Sequence, residues 1–205
     1  MMKKQIVAQL LLNQKAVFLN PHEPFTWTSG IKSPVYCDNR LLISAVEPRN
    51  VIVELFCEKI REMNIDAIAG TATAGIPWAS WIAYELKLPM VYVRSSKKAH
   101  GRKNAVEGQI PHGSKCVLIE DLVSTGKSSI EAALHLRDEN LAVENILSIF
   151  TYDFSNVEES FRKNNLKFES LTQFDILAQV AFDDNLLDQK ALEDVLLWQK
   201  NTKVI

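Results

Sequence analysis

Residues 116–129 read CVLIEDLVSTGKSS, and this run narrows the possible fold more than any other stretch of the chain. The apolar residues Cys116 to Ile119 stop abruptly at two carboxylates, Glu120 and Asp121. A short, unbroken apolar run fits a strand buried on both faces, as in a parallel sheet. Small hydroxyl residues follow, with Gly126 at the tightest point, and then a helical period begins with Ile130, Ala133 and Leu134. The loop therefore sits where a strand feeds a helix N-terminus, and the free N–H groups there favour an anion such as a phosphate. Two carboxylates beside a phosphate cradle would repel a bare phosphate. They fit a ligand that also carries hydroxyls, because ionised carboxylates only accept hydrogen bonds. A sugar phosphate with a free diol satisfies both halves. Gly126-Lys127-Ser128 also resembles the end of a Walker-type P-loop, but that motif needs a glycine where Asp121 stands.

The rest of the chain places this run in an alternating pattern. Candidate strands are Ala67–Ala69, Met90–Val93, Cys116–Ile119 and Ile146–Phe150, and candidate helices are 76–87, 127–139, 156–164 and 188–200. Strands and helices alternating at this spacing predict βαβ units and an α/β fold with a central, mostly parallel sheet flanked by helices. A first helix is expected over about 3–17, a loop over 20–34, and a second helix after Pro48 with Val51, Leu55 and Ile60 near one face. The last fifty residues read as peripheral helices and an edge strand. In such a sheet, ligands gather at the C-terminal ends of the strands. Three of the four strand ends carry distinctive loops, at 70–75, 94–108 and 120–128.

A chain of 205 residues suffices for one α/β domain over 1–205, with about 1–40 contributing a helix and a small N-terminal hood. A net charge of −2 gives no general attraction to nucleic acid or to an anionic membrane. Cys37, Cys57 and Cys116 are odd in number and show no zinc-ligand spacing, which fits a reduced, cytoplasmic protein. The start, MMKKQIVAQLLL, has the look of a signal peptide. Gln5, Gln9, Asn13 and Gln14 interrupt it and no small-residue cleavage site follows, so an amphipathic helix is the better reading. No segment is long and apolar enough to span a membrane.

The two remaining loops have their own chemistry. Residues 70–77, GTATAGIP, carry only small side chains up to Ile76, which lets backbone amides approach a ligand. Residues 94–103, RSSKKAHGRK, form the densest basic run in the chain, within a fifteen-residue stretch to Gly108 that lacks any period. Loops this long are often functional lids. Lysine offers a point charge and arginine a fork of donors, and both suit a diphosphate.

The 116–129 run resembles the motif by which type I phosphoribosyltransferases bind 5-phosphoribosyl 1-diphosphate (PRPP). That resemblance implies the type I phosphoribosyltransferase fold. It also implies that Glu120 and Asp121 take the ribose diol, and that Leu122, Val123, Ser124, Thr125, Gly126, Lys127 and Ser128 wrap the 5-phosphate. The 70–75 loop resembles the family's pyrophosphate loop, which assigns Thr71, Ala72, Thr73 and Ala74 to it and implies a cis Ala72–Thr73 peptide. The order Arg94-x-x-x-Lys98-x-His100-Gly101 is similar to the catalytic loop of orotate phosphoribosyltransferases, as is the segment from Phe25 to Asn39, with its Ser29-Gly30-x-x-Ser33-Pro34 core, to their hood. By this resemblance Arg94, Lys98 and His100 contact the diphosphate, Lys98, His100 and Asp121 are catalytic, and Mg²⁺ arrives mainly on PRPP with no direct protein ligand. The implied partners are orotate and PRPP, in a homodimer whose lids are shared between subunits, with neither nucleic acid nor membrane. The resemblance runs from about residue 18 to 155.

Three positions depart from the family pattern. Many relatives carry lysine where Thr28 and Ala74 stand, and many carry an orotate-contacting arginine where Phe154 stands. Ser124 is then the best side-chain candidate for the orotate carboxylate. His22, His112 and His135 read as surface or capping groups, and the tryptophans as core or interface residues. Two other functions fit the PRPP motif: a PRPP-sensing regulatory protein, and a phosphoribosyltransferase for a purine base.

Overall fold

The structure of the protein is a computed structural model that describes residues 2–21, 23–27, 30, 32–94 and 105–202. The chain opens with α1 (Met2–Asn13), which buries Val7, Ala8 and Leu11. It stops four residues short of the expected end because Lys15 turns left-handed (φ 53°) and Ala16 N–H bonds back to Leu11 O at 2.9 Å. Residue 17, placed at the end of the expected helix, instead opens β1 (Val17–Leu19). A small hairpin, β2 (Phe25–Thr26) and β3 (Lys32–Ser33), lies inside the expected 20–34 loop, and β4 (Val35–Cys37) returns antiparallel to β1. A 3-10 helix over Asn39–Ser44 leads into α2 (Val46–Arg61). Pro48 falls in the first turn of α2, where a missing N–H costs nothing.

The alternating units follow as β5 (Ala67–Thr71), α3 (Gly75–Leu86), β6 (Met90–Val93), β7 (Val106–Glu107), β8 (Lys115–Val123), α4 (Lys127–Asp138), β9 (Ala142–Thr151), α5 (Val157–Lys163), β10 (Lys167–Gln173), α6 (Phe174–Asp183) and α7 (Gln189–Asn201). The main sheet has the order β10-β9-β8-β5-β6-β7, parallel throughout except for the β6–β7 edge. β5 is buried along its whole length and β8 from Cys116 to Glu120, as a sheet covered on both faces requires. From β5 the chain steps outward to β6 and β7, then returns to the other side for β8, β9 and β10. The reversal lies between β5 and β8, and the crevice at their C-terminal ends is the place such sheets offer to a ligand. β10 is an edge strand, and α6 behind it buries Phe174, Leu177, Ala178, Val180 and Ala181.

Helix α3 approaches that crevice more closely than a side chain would allow. A Cβ on Gly75 would lie 2.5 Å from Ile119 O, and one on Gly70 would lie 2.8 Å from the Ala79 Cβ. Gly75→Ala is therefore expected to push α3 off β8 and to destabilise the protein by about 1–3 kcal/mol, as overpacking does. Urea denaturation checks this; a midpoint equal to wild type would show that the backbone has room to spare.

Candidate active site

The acidic pair stands on a strand overhang. β5 and β8 pair only as far as Gly70↔Ile119, whereas β8 and β9 continue to Val123↔Thr151. Residues 120–123 thus project past β5 with a neighbour on one side. The sequence places the strand end at Ile119; the ladder to β9 carries it four residues further, so the carboxylates lie within the strand.

Glu120 is only 6% exposed. Its Oε1 accepts from Asp121 N–H at 3.2 Å and its Oε2 from Ser129 Oγ at 3.3 Å. Burial, and then the neighbouring charge of Asp121, push the Glu120 carboxyl up to about 8. Burial also raises Asp121, which is less enclosed; a hydrogen bond from Glu120 and the charge of Arg40 work the other way. Burial and mutual repulsion thus favour retention of a proton by the empty pair. Thr71 Oγ1 is buried nearby without a hydrogen bond of normal geometry, yet it favours the ionised form of Glu120.

The turn that follows is short. Ser124 and Thr125 are half-buried, and Gly126 adopts φ +78° with Phe161 Cζ 3.0 Å from where a Cβ would stand. Gly126 is the N-cap of α4 and, as glycine, lends that end no side-chain cap. Lys127 N–H bonds to Thr125 Oγ1 at 3.3 Å. The N-terminus of a twelve-residue helix is a ready anion cradle. Leu122 and Val123, expected in this loop, belong to the strand and pair with Phe150 and Thr151. Val123 is buried and its carbonyl accepts from Tyr152 N–H at 3.3 Å, so it can offer a ligand backbone at most.

The second loop closes β5. Thr71 ends the strand, Ala72 to Ala74 form the turn, and the Ala72–Thr73 peptide is cis as the resemblance implies. Ala72 N–H is taken by Val93 O at 2.7 Å. The flanking glycines are required by the close packing of α3 on β5 and β8. At the end of β6, Arg94 bonds through its N–H to Ala105 O at 2.9 Å and sets its guanidinium 3.5 Å from Glu107. Lys98 and His100 lie outside the described residues, as do His22 and Thr28. β6, β5 and β8 are consecutive in the sheet, so Arg94, residues 71–74 and residues 120–128 share one rim.

Phe154 is 2% exposed, stacked on Tyr152 (centroids 5.6 Å, planes 11° apart) and close to Trp27 and Trp198. The position at which many relatives present an arginine is here part of an aromatic cluster. His112 is exposed, and His135 stands in the last turn of α4, 3.9 Å from Asp138. Two cavities of about 530 Å³ lie elsewhere, one around Arg137, Arg162 and Lys167 and the other around Val106 and His112; neither includes the acidic pair. Sequence reasoning gave no part to Asn39, whose Nδ2 donates to Asp121 O at 2.7 Å. A contact between residues so far apart in sequence leaves no local signal.

A carboxylate pair suited to a diol and a helix N-terminus suited to a phosphate thus lie side by side at the switch point of a parallel sheet. The profile of the phosphoribosyl transferase domain matches residues 47–167. The chain is 46% identical over 197 residues to orotate phosphoribosyltransferase of Coxiella burnetii, covering 95% of this chain and 94% of that protein. Among solved structures, UMP synthase of Leishmania donovani is similar with a TM-score of 0.82 and 28% identity over 96% of this chain, which spans 42% of that longer protein. Orotate phosphoribosyltransferase from Aeropyrum pernix is similar with a TM-score of 0.76 and 27% identity, covering 89% of this chain and 99% of that one. The chain belongs to the phosphoribosyltransferase family and, within it, to the orotate phosphoribosyltransferases.

Proposed function

We propose that this protein transfers the 5-phosphoribosyl group from PRPP to orotate, giving orotidine 5-phosphate and diphosphate in pyrimidine biosynthesis. The observation that carries the reading is the buried Glu120–Asp121 pair on the β8 overhang, directly before the N-terminus of α4. The full-length similarity to proteins named orotate phosphoribosyltransferase supports it and disfavours both a PRPP sensor and a purine transferase.

Ser124 to Ser128 hold the 5-phosphate by backbone N–H groups and hydroxyls, and Glu120 and Asp121 accept from the ribose 2- and 3-hydroxyls. Orotate N1 attacks C1 of the ribose as the bond to diphosphate breaks. The ring gains positive character, which the Asp121 carboxylate stabilises, and negative charge collects on the leaving diphosphate. We assign residues 71–74 and Arg94 to that charge, and with them Lys98 and His100 by the family resemblance; groups aimed at charge that develops in the transition state accelerate the step. Among the described residues no three of His, Cys, Asp or Glu converge on one point. A Mg²⁺ carried in on PRPP would supply Lewis-acid polarisation of the diphosphate, and Glu120 and Asp121 would meet it only through the ribose hydroxyls they hold. Ser124 is the side chain assigned to the orotate carboxylate.

We place the enzyme in the cytoplasm as a homodimer, with the 94–108 loop of each subunit serving its partner. The three cysteines are all free and buried, which fits a reducing compartment, and no helix among the described residues is long and apolar enough to cross a membrane.

The assay is PRPP-dependent loss of orotate absorbance, with uracil, hypoxanthine and adenine in parallel. Consumption of orotate that requires both PRPP and Mg²⁺ is expected. Preferential turnover of a purine base would overturn the assignment.

A further inference from the structure

The overhang that carries the acidic pair has an unpaired edge. Beyond Ile119, β8 has lost β5, and backbone groups facing that side need partners from elsewhere. The Asp121 carbonyl finds one in a side chain. Asn39 Nδ2 donates to it at 2.7 Å, and Asn39 is 1% exposed. The other end of the same amide, Oδ1, accepts from Cys37 Sγ at 3.3 Å, which fixes which end faces Asp121. A buried amide is costly unless its groups are paired, and here both ends are engaged.

Asn39 is itself held firmly. It begins the 3-10 helix, whose N-cap Asp38 accepts from Arg40 N–H at 3.2 Å. The Arg40 guanidinium grips the same carboxylate through two bonds, at 2.6 and 2.9 Å. Asp38 N–H bonds to Ala16 O at 2.7 Å, and Cys37 pairs with Val17 across β1 and β4. The amide thus projects from a braced corner onto the backbone of the carboxylate-bearing strand.

We infer that Asn39 is a positioning residue: its amide stands in for the missing neighbour strand and fixes the backbone that aims the Asp121 carboxylate at the ribose. This rests on the reading of Asp121 as the group facing the developing ribose charge. Asn39 does not touch substrate. Its effect passes through Asp121, and misplacing a reacting group by about 1 Å can cost on the order of 100-fold in rate.

Two variants test it in the orotate assay. Asn39→Leu keeps the branched outline of the side chain and removes the donor. The expected result is a fall in kcat of about 10- to 100-fold, with the KM values for PRPP and orotate changed less than about threefold and the protein still folded. Asn39→Asp keeps the shape but turns the donor into an acceptor unless protonated. The groups around the new carboxyl are Asp121, Asp38, Cys37, Arg40 and Glu120, and the neighbouring carboxylates and burial favour its protonated, donating form. Its kcat relative to wild type should therefore rise as pH falls from 8 to 6. A structural defect alone gives a flat ratio. An active wild type with an unchanged Asn39→Leu kcat, or with a flat Asn39→Asp ratio, overturns this inference alone. If Asn39→Leu fails to fold, the Asn39→Asp ratio decides. A folded wild type that transfers nothing to orotate overturns the functional reading and this inference with it.

Discussion

Glu120→Gln is expected to make the empty protein more stable at pH 9 and, at the same time, to cut ribosyl transfer by about 100-fold or more. The stability half follows from burial. Glu120 titrates near 8 in the folded protein against an ordinary value of 4.5. Between those values the unfolded chain has released the proton and the folded one keeps it. Stability from this group is fully present below about pH 4.5, declines as pH rises, and is lost once pH passes about 8. Glutamine does not titrate, and Ser129 Oγ can rotate to accept from its amide, so the variant avoids that loss. The expected gain at pH 9 is on the order of 2–4 kcal/mol, shrinking to near zero at pH 5. The functional half follows because the diol needs an acceptor-only carboxylate. PRPP binding should accordingly drive a proton off Glu120 and tighten as pH rises toward 8. Thermal unfolding at pH 5, 7 and 9, run beside the orotate assay, checks both halves. A variant no more stable than wild type at pH 9 would mean that Glu120 is ionised at little cost in the empty fold.

This opposition between stability and function also bears on what the sequence can reveal. The β8–α4 segment was legible because its signals are local: an unbroken apolar run, a carboxylate pair, a glycine that must go left-handed, then a helical period. The parallel sheet and the helices at 75–86, 127–138 and 189–201 followed from the same periodicity. What escaped depends on distant partners. The extension of β8 past its carboxylates exists because β9 supplies a ladder, and nothing in residues 120–123 announces that. β1, β2 and β3 are two or three residues long, too short to show a period. Gly70 and Gly75 stood out in the sequence as part of a small-residue loop; the contacts that demand them, Ala79 and Ile119 O, are tertiary. Asn39 sat within a segment of recognised type, yet its role emerges only when the 3-10 helix and β8 meet. Phe154 marks a departure from the family pattern in sequence; that it belongs to a cluster with Trp27, Tyr152 and Trp198 is a tertiary fact.

Mixing two inactive proteins, Lys98→Ala and Asp121→Asn, is expected to restore activity once their subunits exchange. Each substitution alone should lower kcat by about 100- to 1,000-fold, the usual cost of removing a group aimed at transition-state charge. For Lys98→Ala the loss should fall on the chemical step far more than on orotate binding. The recovery depends on which lid serves which site. Arg94 stands on the rim at the end of β6, beside the 72–74 turn, and the sequence that follows it is the densest basic run in the chain. If the 94–108 loop reaches the partner's rim, a mixed dimer holds one site with both Lys98 and Asp121 substituted and one with both intact. At random exchange half the dimers are mixed and each carries one working site of two, so about a quarter of wild-type activity should return. If each lid serves its own subunit, every site in every dimer lacks one of the two groups. Heterodimers shown to form by differential tagging, with activity no higher than in the separate proteins, would place the lid in its own subunit and leave the assignment of Asp121 untouched.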